Sequence, residues 1–332
     1  MDEKKCLIVD QGAESIRAGI VPDASPTFNT PSIMEGTKLP LISKNNITSF
    51  DGLESIWLNI FKTLCLDPID NDCFFINNGL TPLSQQRTFI EILFEKYRFG
   101  RVLFANTLIT TLYSTGGDTG LVLECGYSNS QVLPIYRGYA ISPGTVQSAI
   151  AGFDCTEFLM EKLQMLEKTN ITLCSAKDIK EKYGYVRMSK ETEAKEVVMP
   201  DGKKITLNEE LWKCSELLFN PTSFSIEALG LAKMCFKSIK RSDIDTRKDL
   251  YENIIPIGGT ACFYGFNSRL RSDLQKMCPS MNIVVQDQED KALTSWIGAY
   301  VIACTEVFSK LTINKGEYKE RGTNIVTRFL MY

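Results

Sequence analysis

The chain has 332 residues, 44% of them apolar and 23% charged, with a formal net charge of −3. That is enough for one large domain or two medium ones, and it offers no basic footprint for nucleic acid or for an anionic membrane. No stretch approaches the roughly 20 apolar residues that span a bilayer, and the run Cys6-Leu-Ile-Val9 behind Met1-Asp2-Glu3-Lys4-Lys5 is too short for the core of a signal peptide.

That first apolar run is ended by Asp10-Gln11-Gly12, and a second run, 15–21, closes at Pro22. The pattern predicts a strand, a tight acidic-glycine turn and a return strand. Ser84 is expected to cap a helix whose Phe89, Ile90, Leu93, Phe94 and Tyr97 share one face, ending near Gly100. A second hairpin runs from Gly120-Leu-Val-Leu-Glu124 through Cys125-Gly126 to a return strand over 131–136. A helix is expected over 154–168 with Phe158, Leu159, Leu163 and Leu166 inward, then a turn at Met199-Pro-Asp-Gly-Lys-Lys204. The last helix begins after Thr294, where Ile297, Tyr300, Val301, Cys304, Phe308 and Leu311 recur every three or four residues. The aromatic stripes read as core. Strands and helices interleave, which predicts an α/β class with two lobes, and the two similar hairpins suggest a duplicated architecture.

The eleven cysteines are scattered singly, with no Cys-x-x-Cys pair, and there is no histidine. Structural zinc and a disulfide framework are not expected, so the thiols read as small core residues of a reducing compartment, and the sequons at Asn46 and Asn170 carry no weight. Without histidine there is no Ser-His or Cys-His nucleophile pair and no imidazole base.

Several phrases resemble the actin family. Ile8-Val-Asp10-Gln-Gly12 and Arg17-Ala-Gly19 are similar to its first phosphate loop, and Pro31-Ser32-Ile33 to the segment after that loop. Leu112-Tyr113 and Gly120-Leu-Val-Leu123 lead to the second loop, with Pro134-Ile-Tyr136 and Gly138-Tyr139-Ala140 after it. Asp178-Ile-Lys-Glu-Lys182, Pro200-Asp-Gly202, Asp243-Ile-Asp245, Arg247-Lys-Asp-Leu-Tyr251, Gly258-Gly-Thr260 and Ser295-Trp-Ile-Gly298 come in the family's order. The resemblance implies the two-lobed actin-like fold with duplicated βα cores, a central cleft, and ATP with a divalent cation between the lobes. It implies a first lobe of 1–114 plus 294–332, and a second of 115–293 with 151–228 as its outer subdomain.

Phosphate binding between two hairpins needs glycines for close backbone approach, a hydroxyl for the terminal phosphate and carboxylates for the hydrated cation. The family's first loop reads Asp-x-Gly-Ser/Thr-Gly. Here Asp10 and Gly12 remain, Ala13 removes the hydroxyl, and Glu14 puts an anion where the polyphosphate belongs. Two like charges about 4 Å apart at an effective dielectric near 20 repel by roughly 4 kcal/mol. In the second loop, Asp-x-Gly-x-Gly in the family, Gly126 remains and Glu124 keeps the charge on a side chain one methylene longer, but Tyr127 replaces a carboxylate and Ser128 a glycine. The resemblance puts the family's water-positioning glutamine on Thr107, beside Asn106, and its relay histidine on Gln131. Hydrolysis is therefore expected to be lost. On the adenosine side Gly258, Gly259, Thr260, Lys180, Glu181, Lys291 and Phe263 match. ATP or ADP, with Mg held through Asp10 and Glu124, is expected to bind weakly or as a vestige.

Only Met34 to Asn46 stand where the family has a whole small subdomain carrying the loop that enters the next filament subunit, so 33–46 read as its remnant. The receiving groove keeps Tyr113, Gly138, Tyr139, Val301, Ile302 and Phe308, with Trp296 assigned to the core. The expectation is a non-catalytic structural subunit whose partners are actin or actin-related proteins and their complex subunits, in the cytoplasm and cytoskeleton. The alternatives are a nuclear actin-related subunit of a chromatin-remodelling or histone-modifying complex, and a conventional ATP-binding, filament-forming relative.

Overall fold

The computed structural model describes residues 4–331 apart from 35–38, 78, 80, 168–170, 189–193, 199–201 and 203. The expected helix end at 168 and most of the turn at 199–204 lie outside those residues. The first apolar run forms β1 (Cys6–Gln11), which turns back as β2 (Ser15–Ile20), and Asp10 stands opposite Arg17. β3 (Phe28–Pro31) pairs with β2, and a small hairpin comes next, β4 (Ile42–Ser43) with β5 (Asn46–Ile47). Its turn residues Lys44 and Asn45 sit at φ 44° and 71°, left-handed values that a two-residue hairpin demands.

Ser49 caps α1 (Phe50–Thr63) by accepting from the Gly52 N–H at 3.1 Å. Trp57 faces inward from α1, ringed by Phe75, Phe89 and Tyr97, and its indole N–H donates to Gln11 Oε1 at 2.9 Å. β6 (Asp72–Asn77) lies parallel to β1, and its near-continuous burial is that of a strand covered on both faces. α2 (Leu83–Glu91) begins one residue before Ser84, with Pro82 at the cap position and no side-chain cap, and widens into a π-helical turn over Ile92–Lys96. The expected apolar face is nonetheless the buried one. β7 (Arg101–Asn106) then runs parallel to β6 and passes directly into α3 (Thr107–Ser114).

The chain next forms β8 (Gly120–Cys125) and β9 (Ser130–Tyr136), an antiparallel pair with Glu124 opposite Gln131. A short excursion carries β10 (Tyr139–Ala140), and β11 (Val146–Ser148) then pairs with β9. Next come α4 (Gly152–Glu167), α5 (Leu173–Tyr183), the hairpin β12 (Lys195–Val198) with β13 (Lys204–Leu207), and α6 (Glu209–Phe219). α7 (Leu231–Lys240), α8 (Arg247–Tyr251), β14 (Ile254–Ile257), parallel to β8, and α9 (Phe266–Met277) complete this stretch. On α4, Leu159 and Leu163 are buried as expected, whereas Leu166 is exposed, because by the helix's last turn the chain has run past the core. Burial pushes the thiols of Cys125, Cys214 and Cys235 up to about 12, so they pack as small apolar groups.

The end of the chain forms α10 (Thr294–Ala303), α11 (Glu306–Leu311), β15 (Ile313–Asn314), which pairs with β7, and α12 (Lys315–Arg321). The single expected helix is broken at Cys304–Thr305, and its buried face is not the expected one. Ser295, Trp296, Gly298, Ala299 and Ile302 are buried, while Ile297 and Val301 are exposed. Gly298 is the reason: a Cβ there would lie 1.7 Å from the Thr110 carbonyl oxygen, so α10 lies against α3 by its smallest side chains.

Two compact units result. The first holds 1–118, 137–140 and 293–332 around the six-stranded sheet β15-β7-β6-β1-β2-β3; the second holds 119–136 and 141–292 around β9, β8 and β14. Residues 115–118 and 137–140, placed with the second lobe from sequence, pack with the first unit instead.

Candidate functional site

In the first unit, Gly12 closes the β1–β2 turn by donating its N–H to the Ser15 carbonyl at 3.1 Å. Ala13 and Glu14 form the tip. The Glu14 carbonyl accepts from the Ser32 N–H at 3.0 Å, and one of its carboxylate oxygens has no solvent contact, so the acid is held against the protein. Arg17 approaches Asp10 to 3.7 Å. Burial pushes the Asp10 carboxyl up to about 6, against the opposite pull of Arg17. Thr107 opens α3 and its hydroxyl donates to the Asn77 carbonyl at 3.0 Å, while Asn106 caps the helix by accepting from the Leu108 N–H at 2.9 Å. Both side chains at the family's glutamine are thus spent joining β6, β7 and α3.

In the second unit, the Gln131 amide donates to a Glu124 carboxylate oxygen across the β8–β9 pair. Gln131 is therefore the partner of Glu124 rather than only a lost histidine. The hairpin register, legible from the turn length, is the signal that could have shown it. The Gly126 carbonyl accepts from the Thr260 hydroxyl at 2.8 Å and from the Gly152 N–H at 3.0 Å, and the Tyr127 carbonyl accepts from the Phe153 N–H at 2.7 Å. The loop's carbonyls therefore consume the first amides of α4. Tyr127 adds an edge-on ring contact to Phe153, centroids 5.6 Å apart.

Lys180 is 5% exposed, and its ammonium donates to the Gly152 carbonyl at 3.0 Å and the Thr156 hydroxyl at 2.8 Å. It ties α5 to the start of α4 instead of presenting its charge to a nucleoside. Lys291 is similarly engaged, with Asn267 Oδ1 at 3.0 Å and the Ala261 carbonyl at 3.3 Å, and Phe263 is buried in the second unit's core. Glu181 is exposed. Gly258 holds φ +94° where a Cβ would lie 2.4 Å from the Cys125 carbonyl, so only glycine fits. At Gly259 a Cβ would meet nothing within 4 Å. Open space is thus left at Gly259, but the polyphosphate side does not fit the residues present: no hydroxyl at Ala13, a carboxylate at Glu14 and Ser128 for glycine. Among the described residues no group of three or more Asp, Glu or Cys is placed to hold a metal ion.

The actin family profile matches residues 37–194 and 172–330. A Dictyostelium discoideum protein, "Putative actin-29", is 32% identical over 310 residues, covering 88% of this chain and 80% of that protein. This chain belongs to the actin family. Its mixed sheet-and-helix units have the actin-like fold.

The surface expected to receive an actin-type loop splits in two. Tyr113, Tyr139 and Val301 are exposed, Tyr139 by 73%, and Gly138 holds φ +80° with open space around it. Ile302 and Phe308 are 1% and 5% exposed and belong to the core, where Phe308 stacks on Phe74. They cannot touch a partner. Ile297, assigned to the core by its periodicity, is exposed one turn from Val301. The small residues that bring α10 onto α3 leave Ile297 and Val301 facing outward, while Trp296 and Ile302 stay buried.

Proposed function

We propose that this protein is a non-catalytic actin-related structural subunit that occupies one end of an actin or actin-related assembly in the cytoplasmic cytoskeleton. The observation that carries the reading lies between β3 and α1. Where the family has a subdomain with the loop that enters the next subunit, this chain has the β4–β5 hairpin, two residues per strand. A longitudinal contact needs a donor loop and an acceptor surface, and only the acceptor side, with Tyr113, Tyr139, Ile297 and Val301 exposed, is kept. The role resembles that of the pointed-end actin-related subunit of dynactin.

The purified protein is expected not to polymerise where actin does, and to bind filaments of its partner at one end only, slowing subunit exchange there. Single-filament imaging with labelled protein tests this. Long self-assembled filaments, or decoration along filament sides, would rule out the end-subunit role. Val301→Asp should weaken end binding tenfold or more, about 1.4 kcal/mol, with stability changed by no more than about 0.5 kcal/mol as for other surface sites. Ile302→Asp would instead bury a charge and unfold the first unit.

Loss of hydrolysis is a separate expectation. With no hydroxyl at Ala13, no glutamine at Thr107 and Gln131 hydrogen-bonded to Glu124, phosphate release from ATP should not exceed background, with or without actin. Turnover at an actin-like rate that disappears on Asp10→Ala would contradict it.

A further inference from the structure

The hairpin that stands in place of the subdomain is too short to hold itself. β4 and β5 contribute two residues each, and two-stranded hairpins are marginal in water even when longer. Opposite residues of an antiparallel pair alternate between exchanging backbone hydrogen bonds and turning those groups outward. Beside the two-residue turn at Lys44-Asn45, Ser43 faces Asn46, and Ile42 faces Ile47 in the next, outward-turned position. The N–H and C=O of Ile47 therefore point to the free edge of the hairpin, where one side chain meets both. Gln85, in the first turn of α2, accepts from the Ile47 N–H at 2.9 Å through Oε1 and donates from Nε2 to the Ile47 carbonyl at 2.9 Å. A primary amide offers the same donor and acceptor as a peptide group, so Gln85 pairs with β5 as a third strand would. Among the described residues no other residue's side chain bonds the backbone of β5.

We infer that Gln85 is a positioning residue that clamps the hairpin onto α2 and makes it a fixed cap on the first unit. Leu41 anchors the base of the same hairpin. Its side chain is fully buried, its N–H donates to the Ser32 carbonyl and its carbonyl accepts from the Thr48 N–H, both at 2.9 Å. Ile42 and Ile47 are only half-buried against the core, so packing alone leaves the outer strand weakly held. With the clamp in place, the Ile47 peptide groups are already paired within the chain and offer no edge to a partner strand. The clamp itself is a property of the first unit. Its consequence, an end that stays closed to the next subunit, rests on the end-subunit reading.

Amide hydrogen exchange of the isotope-labelled full-length protein, followed by NMR, reads the clamp at the Ile47 N–H. Gln85→Met keeps the length of the side chain and removes both hydrogen bonds, so Ile47 protection should fall roughly tenfold, while the amides of α1 and β6 keep theirs. Gln85→Glu retains the acceptor and loses the donor, so Ile47 should stay better protected than in Gln85→Met. A side chain that only filled space would give the reverse order, with Ile47 protected by Met and not by Glu. Trypsin cleavage after Lys44, which is exposed in the turn, should also quicken in Gln85→Met with little change in melting temperature. Undiminished Ile47 protection or unchanged cleavage in Gln85→Met, or the reverse order of the two variants, overturns the clamp. Filaments or side decoration formed by the natural protein would instead overturn the end-subunit reading and leave the clamp standing.

Discussion

Gly298→Val is expected to cost the first unit about 3 kcal/mol or more. Even the Cβ alone would fall 1.7 Å from the Thr110 oxygen, 2.5 Å from its carbonyl carbon and 3.3 Å from the Ser114 nitrogen. These are backbone atoms of α3 and cannot swing aside as a flexible side chain would. α10 must therefore retreat, and the contacts of Trp296, Ala299 and Ile302 with Ile8, Phe74 and Ile76 on β1 and β6 retreat with it. Packing lost over a sub-ångström to ångström gap forfeits much of the dispersion energy. Urea unfolding followed by circular dichroism reads the effect, with Val301→Ala, on the exposed side of the same helix, as a control near zero. A loss below about 1 kcal/mol for Gly298→Val would mean that the two helices are not held at backbone contact.

Restoring the first turn is expected to have the largest effect on ligand binding. Ala13→Ser returns a hydroxyl and Glu14→Gly removes a carboxylate from the tip of the β1–β2 hairpin, where the actin family holds phosphate. The repulsion removed is bounded by roughly 4 kcal/mol, so the double variant should bind ATP 10- to 1,000-fold more tightly than the natural protein, about 1.4 to 4 kcal/mol. Titration calorimetry on both proteins decides it. Gly12 already closes the turn in a hairpin shape, so the variant needs no new backbone. Equal affinities would show that the charge of Glu14 is not what limits binding, and would put the block on the second loop or on the internally spent Lys180.

The amino-acid sequence by itself determined the family, the two hairpins and the interleaved α/β order. It also determined the chemistry missing from the first turn, because each of these rests on local pattern. Gly12 between two apolar runs marks a turn, although Asp10 and Gln11 belong to the strand before it, and Ala13 lacks a hydroxyl in any fold. Tertiary structure decided where charge and apolar surface are spent. Lys180 matches the nucleoside contacts in sequence, but only the approach of α5 to the first turn of α4 shows its ammonium consumed by Gly152 and Thr156. Phe308 shares a period with Val301 and Ile302 adjoins it, yet Ile302 and Phe308 are core and Val301 is surface. The cause is Gly298, since a helix approaches another most closely along its smallest residues, whatever the spacing of its largest. Hydrophobic periodicity counts large side chains, and here the close contact between α3 and α10 is made where there is almost no side chain at all.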